Sequence, residues 1–205
     1  MKEIDELLSL VMPYAPECPE PLAIRALRNA ATKVCERGRL WKETVTLAVI
    51  ANESVPLAAP AGARIMEFAA PIYDGEPLTP VSLSWLDYRN PQWRDDEASP
   101  AQYLTQEAPN TVRVVPFVAG TLSLRLVLLP AKAATELPDF LVDDYATEIS
   151  EGAIAEVLLT PAVDFANPKL GVAFSQRFEA HLDRISVAAT KGQQKARLRT
   201  KASFM

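Results

Sequence analysis

Two long helices are predicted within residues 137–190, because apolar residues recur there every three or four positions. The first helix spans residues 138–160 and ends before Pro161; its apolar stripe is Leu141, Tyr145, Ile149, Ala153 and Val157. The stripe of the second helix is Leu170, Phe174, Phe178, Leu182, Ile185 and Ala189. Such helices can bury their stripes only against other helices of the chain or against another copy of it.

The N-terminal segment predicts two more helices. One spans residues 2–12 and ends before Pro13. The other begins at Pro21 and runs to about Arg37, with Gly38 as its predicted C-terminal cap. Its inner face would let a neighbouring helix approach closely, because it is made of small residues: Ala23, Ala26, Leu27, Ala30, Ala31 and Val34.

From Trp41 the apolar period changes to two, which is typical of half-buried antiparallel strands. Strands are predicted at residues 45–49, 63–70, 81–85, 111–117 and 122–128. Between the third and fourth of these strands, residues 87–100 predict a polar loop with an exposed Trp93.

The helical pattern resumes after the strands, so the predicted fold class is α+β. We expect an antiparallel helical bundle with an inserted antiparallel β subdomain and an extended C-terminal tail. The bundle would take its N-terminal helices from residues 1–40 and its C-terminal helices from residues 131–190. The β subdomain would occupy residues 41–130, and the basic tail residues 191–205.

Composition is that of a globular protein, since 49% hydrophobic and 23% charged residues suffice for a packed core. The longest apolar run, at residues 126–129, is too short for a bilayer, and residues 1–6 are acidic rather than a basic signal segment. We therefore expect a soluble intracellular protein with no membrane partner. Cys18 and Cys35 bracket a predicted helix, which favours free thiols over a disulfide.

Charge is divided unevenly along the chain. The tail carries +5 and no acidic side chain; since the whole chain carries −5, residues 1–190 carry −10. The tail could be a solubilising segment, could contact nucleic acid, or could become ordered on a partner. Its candidate binding residues are Lys191, Lys195, Arg197, Arg199, Lys201 and Phe204.

No catalytic or cofactor site is predicted. His181 is the one histidine; it lies at the margin of an apolar stripe, where a packing or interface role is favoured. Phosphate-loop spacing is absent, and adjacent acids such as Asp143 and Asp144 point apart on a helix. We expect no enzyme activity, no metal and no cofactor. Trp93 and Arg94 form a candidate partner-anchor loop, with packing of the Trp on its own sheet as the alternative.

Several short motifs extend over nearly the whole chain. They are Cys18-Pro19-Glu20-Pro21-Leu22, Ala26-Leu27-Arg28-Asn29-Ala30-Ala31, Val34-Cys35-Glu36-Arg37, Leu137-Pro138-Asp139, Ile149-Ser150-Glu151-Gly152-Ala153-Ile154 and Phe165-Ala166-Asn167-Pro168-Lys169-Leu170. Together with Trp41, Phe174 and Phe178, they resemble the head-to-tail adaptor (connector) proteins of tailed bacteriophages.

The resemblance implies a structural virion protein that forms a homo-oligomeric, dodecameric ring between the portal at the capsid vertex and the tail. It implies that genomic DNA passes along the ring axis without sequence-specific binding, and that the basic tail binds the portal. Further partners would be tail and nozzle proteins, after assembly in the host cytoplasm. Two alternatives remain open: a tail-tube or baseplate subunit, and a nucleic-acid-binding accessory protein that uses the basic tail.

Overall fold

The chain folds into two compact units in a computed structural model that describes residues 1–97 and 99–191. The first unit combines residues 1–41 with the chain from Leu129 onward, and the second runs from Lys42 to Leu128. Helices dominate the first unit and strands the second, so the fold is mixed α+β, as the apolar periods predict.

Five α-helices and ten strands form within the described residues. The helices are α1 (Leu8–Val11), α2 (Glu20–Gly38), α3 (Leu83–Arg89), α4 (Asp139–Leu158) and α5 (Pro168–Lys191). The strands are β1 (Lys2–Glu3), β2 (Lys42–Val49), β3 (Val55–Pro56), β4 (Ala63–Tyr73), β5 (Glu76–Pro77), β6 (Thr79–Pro80), β7 (Tyr103–Thr105), β8 (Thr111–Val115), β9 (Gly120–Pro130) and β10 (Glu136–Leu137). Among these helices, none has the length and apolar character needed to span a membrane.

Helix α4 is the centre of the first unit and packs against both α2 and α5. Its C-terminal half is buried on nearly every side, at Ile149, Ser150, Gly152, Ala153, Ile154, Ala155, Val157 and Leu158. Helix α2 buries the small residues of its predicted inner face, and α5 buries Phe174, Phe178, Leu182 and Ile185. The three helices predicted for residues 21–37, 138–160 and 170–189 are therefore confirmed.

Two glycines let these helices approach one another closely. A Cβ atom added to Gly152 of α4 would lie 2.8 Å from Cζ of Phe178 and 2.9 Å from Cβ of Ala30. One added to Gly38 would lie 2.6 Å from Cγ2 of Ile185. The prediction of Gly38 as the C-terminal cap is wrong, because Arg39 takes the left-handed conformation instead, with φ of 47°.

The predicted N-terminal helix is only partly formed. Lys2 and Glu3 pair in antiparallel register with Leu137 and Glu136, so the segment begins as a strand and not as a helix. A 3-10 turn at Ile4–Leu7 then leads into α1. Backbone partners supplied by a distant part of the chain outweigh the local helical preference here. The apolar residues of the pattern, Ile4, Leu7 and Val11, are nevertheless buried.

The second unit contains two four-stranded sheets. Their strand orders are β2-β9-β4-β5 and β3-β8-β7-β6. The long pair β2 and β9 is antiparallel, and its register runs without interruption from Lys42 opposite Val127 to Val49 opposite Gly120. The pairs β3–β8, β4–β5 and β7–β8 are also antiparallel, whereas β6 and β7 pair in parallel.

The strand predicted at residues 81–85 is wrong, because Leu83–Arg89 forms helix α3. Ser82 caps this helix by accepting a hydrogen bond from the backbone N–H of Trp85 at 3.3 Å. The sequence Val-Ser-Leu-Ser-Trp alternates as a strand would, and this alternation conceals the capping serine. The loop predicted to follow also contains ordered structure, a 3-10 turn at Trp93–Asp95.

Replacement of Gly152 by Leu is expected to lower the free energy of unfolding by about 3 kcal/mol or more, since the new side chain has no space between Phe178 and Ala30. Thr147→Leu is the matched control, because Thr147 lies on the exposed face of the same helix; its effect should stay within about 0.5 kcal/mol. Denaturant unfolding measures both. Equal stability of the two variants would refute the close packing of the three helices.

Both cysteines are free and buried, as expected from their spacing. Burial raises the pKa of the Cys35 thiol to about 12 and also raises the pKa of Cys18. The folded chain therefore holds the Cys35 proton more tightly than the unfolded chain does. This raised pKa makes a contribution to the stability of the folded chain that is fully present below the unfolded pKa of about 8.5. The contribution is lost as the pH rises toward 12.

At pH 8, Cys35 in the folded protein is expected to react with a thiol-alkylating reagent roughly a thousandfold more slowly than in the unfolded chain. The reason is the small fraction of thiolate at a pKa of about 12. Mass spectrometry of peptides after timed labelling measures the rate, with the same chain in denaturant as control. Rapid labelling of Cys35 without unfolding would contradict the burial.

Candidate interaction surfaces

Trp93 is buried, with 1% of its surface exposed, so the prediction of an exposed anchor at this position is wrong. Its ring packs with Leu86 and Val115 in a small core of the second unit. The indole N–H donates a hydrogen bond to Oδ1 of Asp87 at 2.8 Å, which satisfies the polar group of the ring. Of the two interpretations left open for this residue, packing on its own sheet is the one that the fold adopts.

Two arginines cover the Trp93 ring. The guanidinium of Arg94 lies 4.2 Å from the ring centroid and that of Arg113 lies 5.2 Å from it, both within cation–π distance. Arg94 is half exposed, whereas Arg113 is 12% exposed. Arg94, the second residue of the candidate anchor loop, therefore shields the Trp and still reaches solvent.

Arg113 ties three segments of the second unit together. Its Nη2 donates to the side-chain oxygen of Asn52 at 2.9 Å and to the backbone oxygen of Arg94 at 2.7 Å. Its Nη1 donates to Oε2 of Glu107 at 3.2 Å. A hydrogen bond from the Ser54 hydroxyl and this contact with Arg113 lower the pKa of Glu107, so the pair stays charged at neutral pH.

The exposed aromatic residues of the second unit lie on helix α3. Tyr88 is 89% exposed and Trp85 is 39% exposed, with the Trp85 ring 5.0 Å from that of Tyr103. Sequence reasoning missed this surface because residues 81–85 were assigned to a strand. The spacing of three between Trp85 and Tyr88, together with the capping position of Ser82, is the signal that identifies a helix with two aromatic residues in neighbouring turns.

His181 joins α5 to α4 in the first unit. Its Nε2 lies 3.1 Å from Oε2 of Glu151, and its Nδ1 lies 3.1 Å from Nη2 of Arg184. Arg177 approaches the other oxygen of Glu151 at 3.9 Å. The histidine is thus a half-buried contact between helices, in agreement with the packing or interface role expected for it.

Polar contacts also link α2 to both of its neighbours. Asn29 donates to Oε1 of Glu156 in α4 at 2.8 Å, and Arg37 pairs with Asp183 in α5 at 2.9 Å. These pairs lie on the exposed rim of the apolar contacts. Their contribution to stability is small, because exposed ion pairs are screened by water and salt.

The described part of the chain contains no group of three or more His, Cys, Asp or Glu side chains placed to hold a metal ion. Lys191 is the last residue of α5. The other candidate tail residues, Lys195, Arg197, Arg199, Lys201 and Phe204, lie outside the described residues.

Residues 3–201 match a family model described as SU10 adaptor protein. No curated protein matches the chain. A match over nearly the whole chain defines the class as the head-to-tail adaptors of bacteriophages, which are structural proteins of the virion. The chain belongs to the SU10 adaptor family. The resemblance drawn from the short motifs is therefore confirmed.

Replacement of Arg113 by Met is expected to lower the free energy of unfolding of the second unit by about 1–3 kcal/mol, since Asn52, Arg94 and Glu107 lose the charged donor that connects them. Arg113→Lys should recover only part of the loss, because one ammonium group cannot reproduce the planar fork. Arg125→Met, at an exposed position of β9, is the control. Urea unfolding followed by tryptophan fluorescence distinguishes them, and equal stability of all three variants would refute this role.

Proposed function

We propose that the chain is the subunit of a ring that joins the portal at the capsid vertex to the tail and lets genomic DNA pass along its axis. The observation that carries this proposal is the family match over residues 3–201. An adaptor of the virion must contact head and tail proteins, and a ring is the form in which many equal copies can do so around one axis. The dodecameric copy number is the one implied by the resemblance.

The proposed subunit is a helical bundle with an inserted β subdomain, divided near residues 41 and 130. The discontinuous first unit supports this arrangement, because α2 comes from one side of the β residues and α4 and α5 from the other. The β residues from Lys42 to Leu128 form a unit of their own. Insertions of this kind are tolerated where both ends of the inserted segment leave the host unit close together.

In this proposal the helices form part of the ring wall. Support comes from apolar residues that α4 and α5 leave accessible at the end where they meet. Leu159, just after α4, and Val172, in the first turns of α5, are 42% and 48% exposed. Leu159 also touches the α5 backbone, since a Cβ on Gly171 would lie 2.8 Å from its Cγ. Accessible apolar side chains of this size are typical of protein–protein contact surfaces.

The basic tail, residues 191–205, is the proposed portal-binding segment. Five cations in a stretch without acids, followed by Phe204, suit a segment that pairs with acidic groups and inserts one aromatic ring into a partner. Its charge of +5 opposes the −10 on residues 1–190. The same acidic excess would discourage DNA from adhering to the ring during passage. We infer a structural role and no catalytic one.

Deletion of residues 191–205 is expected to leave a folded subunit and to abolish its binding to the portal. Co-sedimentation with purified portal measures binding, and far-UV circular dichroism checks the fold. Two full-length variants separate the contributions: one replaces the five cations of the tail by Gln, and the other is Phe204→Ala. Loss of binding in the first variant alone assigns the effect to charge.

Unchanged co-sedimentation of the deleted chain would overturn the role of the tail. Binding of the intact chain to bare duplex DNA, with an affinity that falls steeply as salt rises, would favour the nucleic-acid-binding alternative. The portal and the duplex are therefore offered separately to each variant.

A further inference from the structure

The first sheet of the second unit ends in two long, open edges. Strand β2 is at one end of the order β2-β9-β4-β5, and within residues 1–97 and 99–191 no strand pairs with its outer side. At the other end, β5 reaches β4 only at Ile72 and Tyr73. Residues 63–70 of β4 therefore lie beyond the reach of β5 on that side.

Open edges of this length normally carry protection, because their backbone groups can pair with another chain. The second sheet follows this rule, since its outer strands β3 and β6 have two residues each. Strand β2 has eight residues, no proline and no bulge. Its charges are confined to Lys42 and Glu43, which leaves six uncharged residues, four of them β-branched.

A groove follows the outer edge of β4. It has a volume of about 270 Å³ and is lined by Ile65, Met66, Glu67, Phe68, Gln106 and Asn110. Successive side chains of a strand point to opposite faces, so four consecutive residues can line one groove only if it runs along the backbone. Gln106 and Asn110, between β7 and β8, also line the groove.

We propose that β2 of one copy adds to the β4 edge of the next copy, so that neighbouring β units form a continuous sheet around the ring. The inference rests on the proposed ring and specifies what holds its copies together. The two edges match in length, since β2 and residues 63–70 of β4, which precede the pairing with β5, each have eight residues.

A second copy is the occupant that these edges fit, because they are different strands at opposite sides of one sheet. A contact between unlike surfaces repeats from copy to copy and closes into a ring when the rotation permits. Pairing of β2 with another β2 would instead give a two-fold dimer and would leave both β4 edges open. The ring uses both edges of every copy.

Disulfide trapping tests the proposal on full-length chains bound to portal. Thr44 of β2 and Arg125 of β9 are exposed and directly opposite each other, so they differ by one strand in their distance from the edge. Strands are about 4.8 Å apart, and a disulfide requires Cα atoms within about 7 Å, so β4 of the next copy can reach Thr44 but not Arg125. Thr44→Cys and Arg125→Cys are each mixed with a panel of single cysteines across residues 63–70.

The expected result is oxidised dimers between Thr44→Cys and at least one panel member, and none with Arg125→Cys. Hydrogen exchange of the unaltered chain gives a second measurement that is independent of folding defects. On assembly, the edge amides of β2 and of residues 63–70 should exchange about tenfold more slowly, whereas amides of the central strand β9 should not change.

The other outcomes distinguish a failure of the strand addition from a failure of the proposed ring. Rings that form on the portal without Thr44 cross-links and without slowed edge amides would overturn the strand addition and leave the adaptor ring intact. Dimers of Thr44→Cys with itself would replace strand addition by a two-fold contact. Failure of the unaltered chain to form any ring on the portal would overturn the proposed function and this inference with it.

Discussion

The burial of α4 between α2 and α5 is the constraint on which the first unit depends. The helices on its two sides come from opposite ends of the sequence, so their contacts through Gly152 draw residues 1–41 and the C-terminal segment into one unit. Small residues on α2 and a glycine on α4 make this approach possible, because interiors pack at the density of organic crystals and leave no space for an extra side chain. Polar pairs such as Asn29 with Glu156 lie at the exposed rim of this contact.

The second unit is organised differently, around a Trp that is covered rather than displayed. Arg113 donates to groups from three segments while its guanidinium also lies over Trp93, so one side chain connects the segments that contain Asn52, Arg94 and Glu107. Strands β2 and β4 contribute no residue to this network. Strand addition at their outer edges is the contact proposed between copies.

The parts predicted from sequence are those governed by one apolar period. Helices α2 and α5 and strand β2 follow their periods over eight or more residues each, so local preference and burial agree. The wrong secondary-structure predictions concern short segments whose local pattern allows two interpretations. Alternation at Val81–Trp85 concealed a capped helix, and the N-terminal segment exchanged helix for a strand because distant backbone was available.

The candidate site was less predictable than the fold, because exposure depends on tertiary packing. Trp93 lies in a polar stretch, yet it is buried. Asp87 accepts the hydrogen bond from its indole N–H, and two arginines cover its ring. Tyr88, in the helix that went unpredicted, is the exposed aromatic instead. The open edges of β2 and β4 could not be derived either, since strand order is a property of the folded sheet and not of any single segment.

The central claim is the proposal that this chain forms a closed ring on the portal and so presents equal contacts around one axis. Native mass spectrometry of the complex formed by the purified full-length chain with purified portal tests this claim most directly. A single species with a fixed copy number, unchanged by excess adaptor, is the expected result. One copy per portal, or masses that keep growing as adaptor is added, would contradict the closed ring.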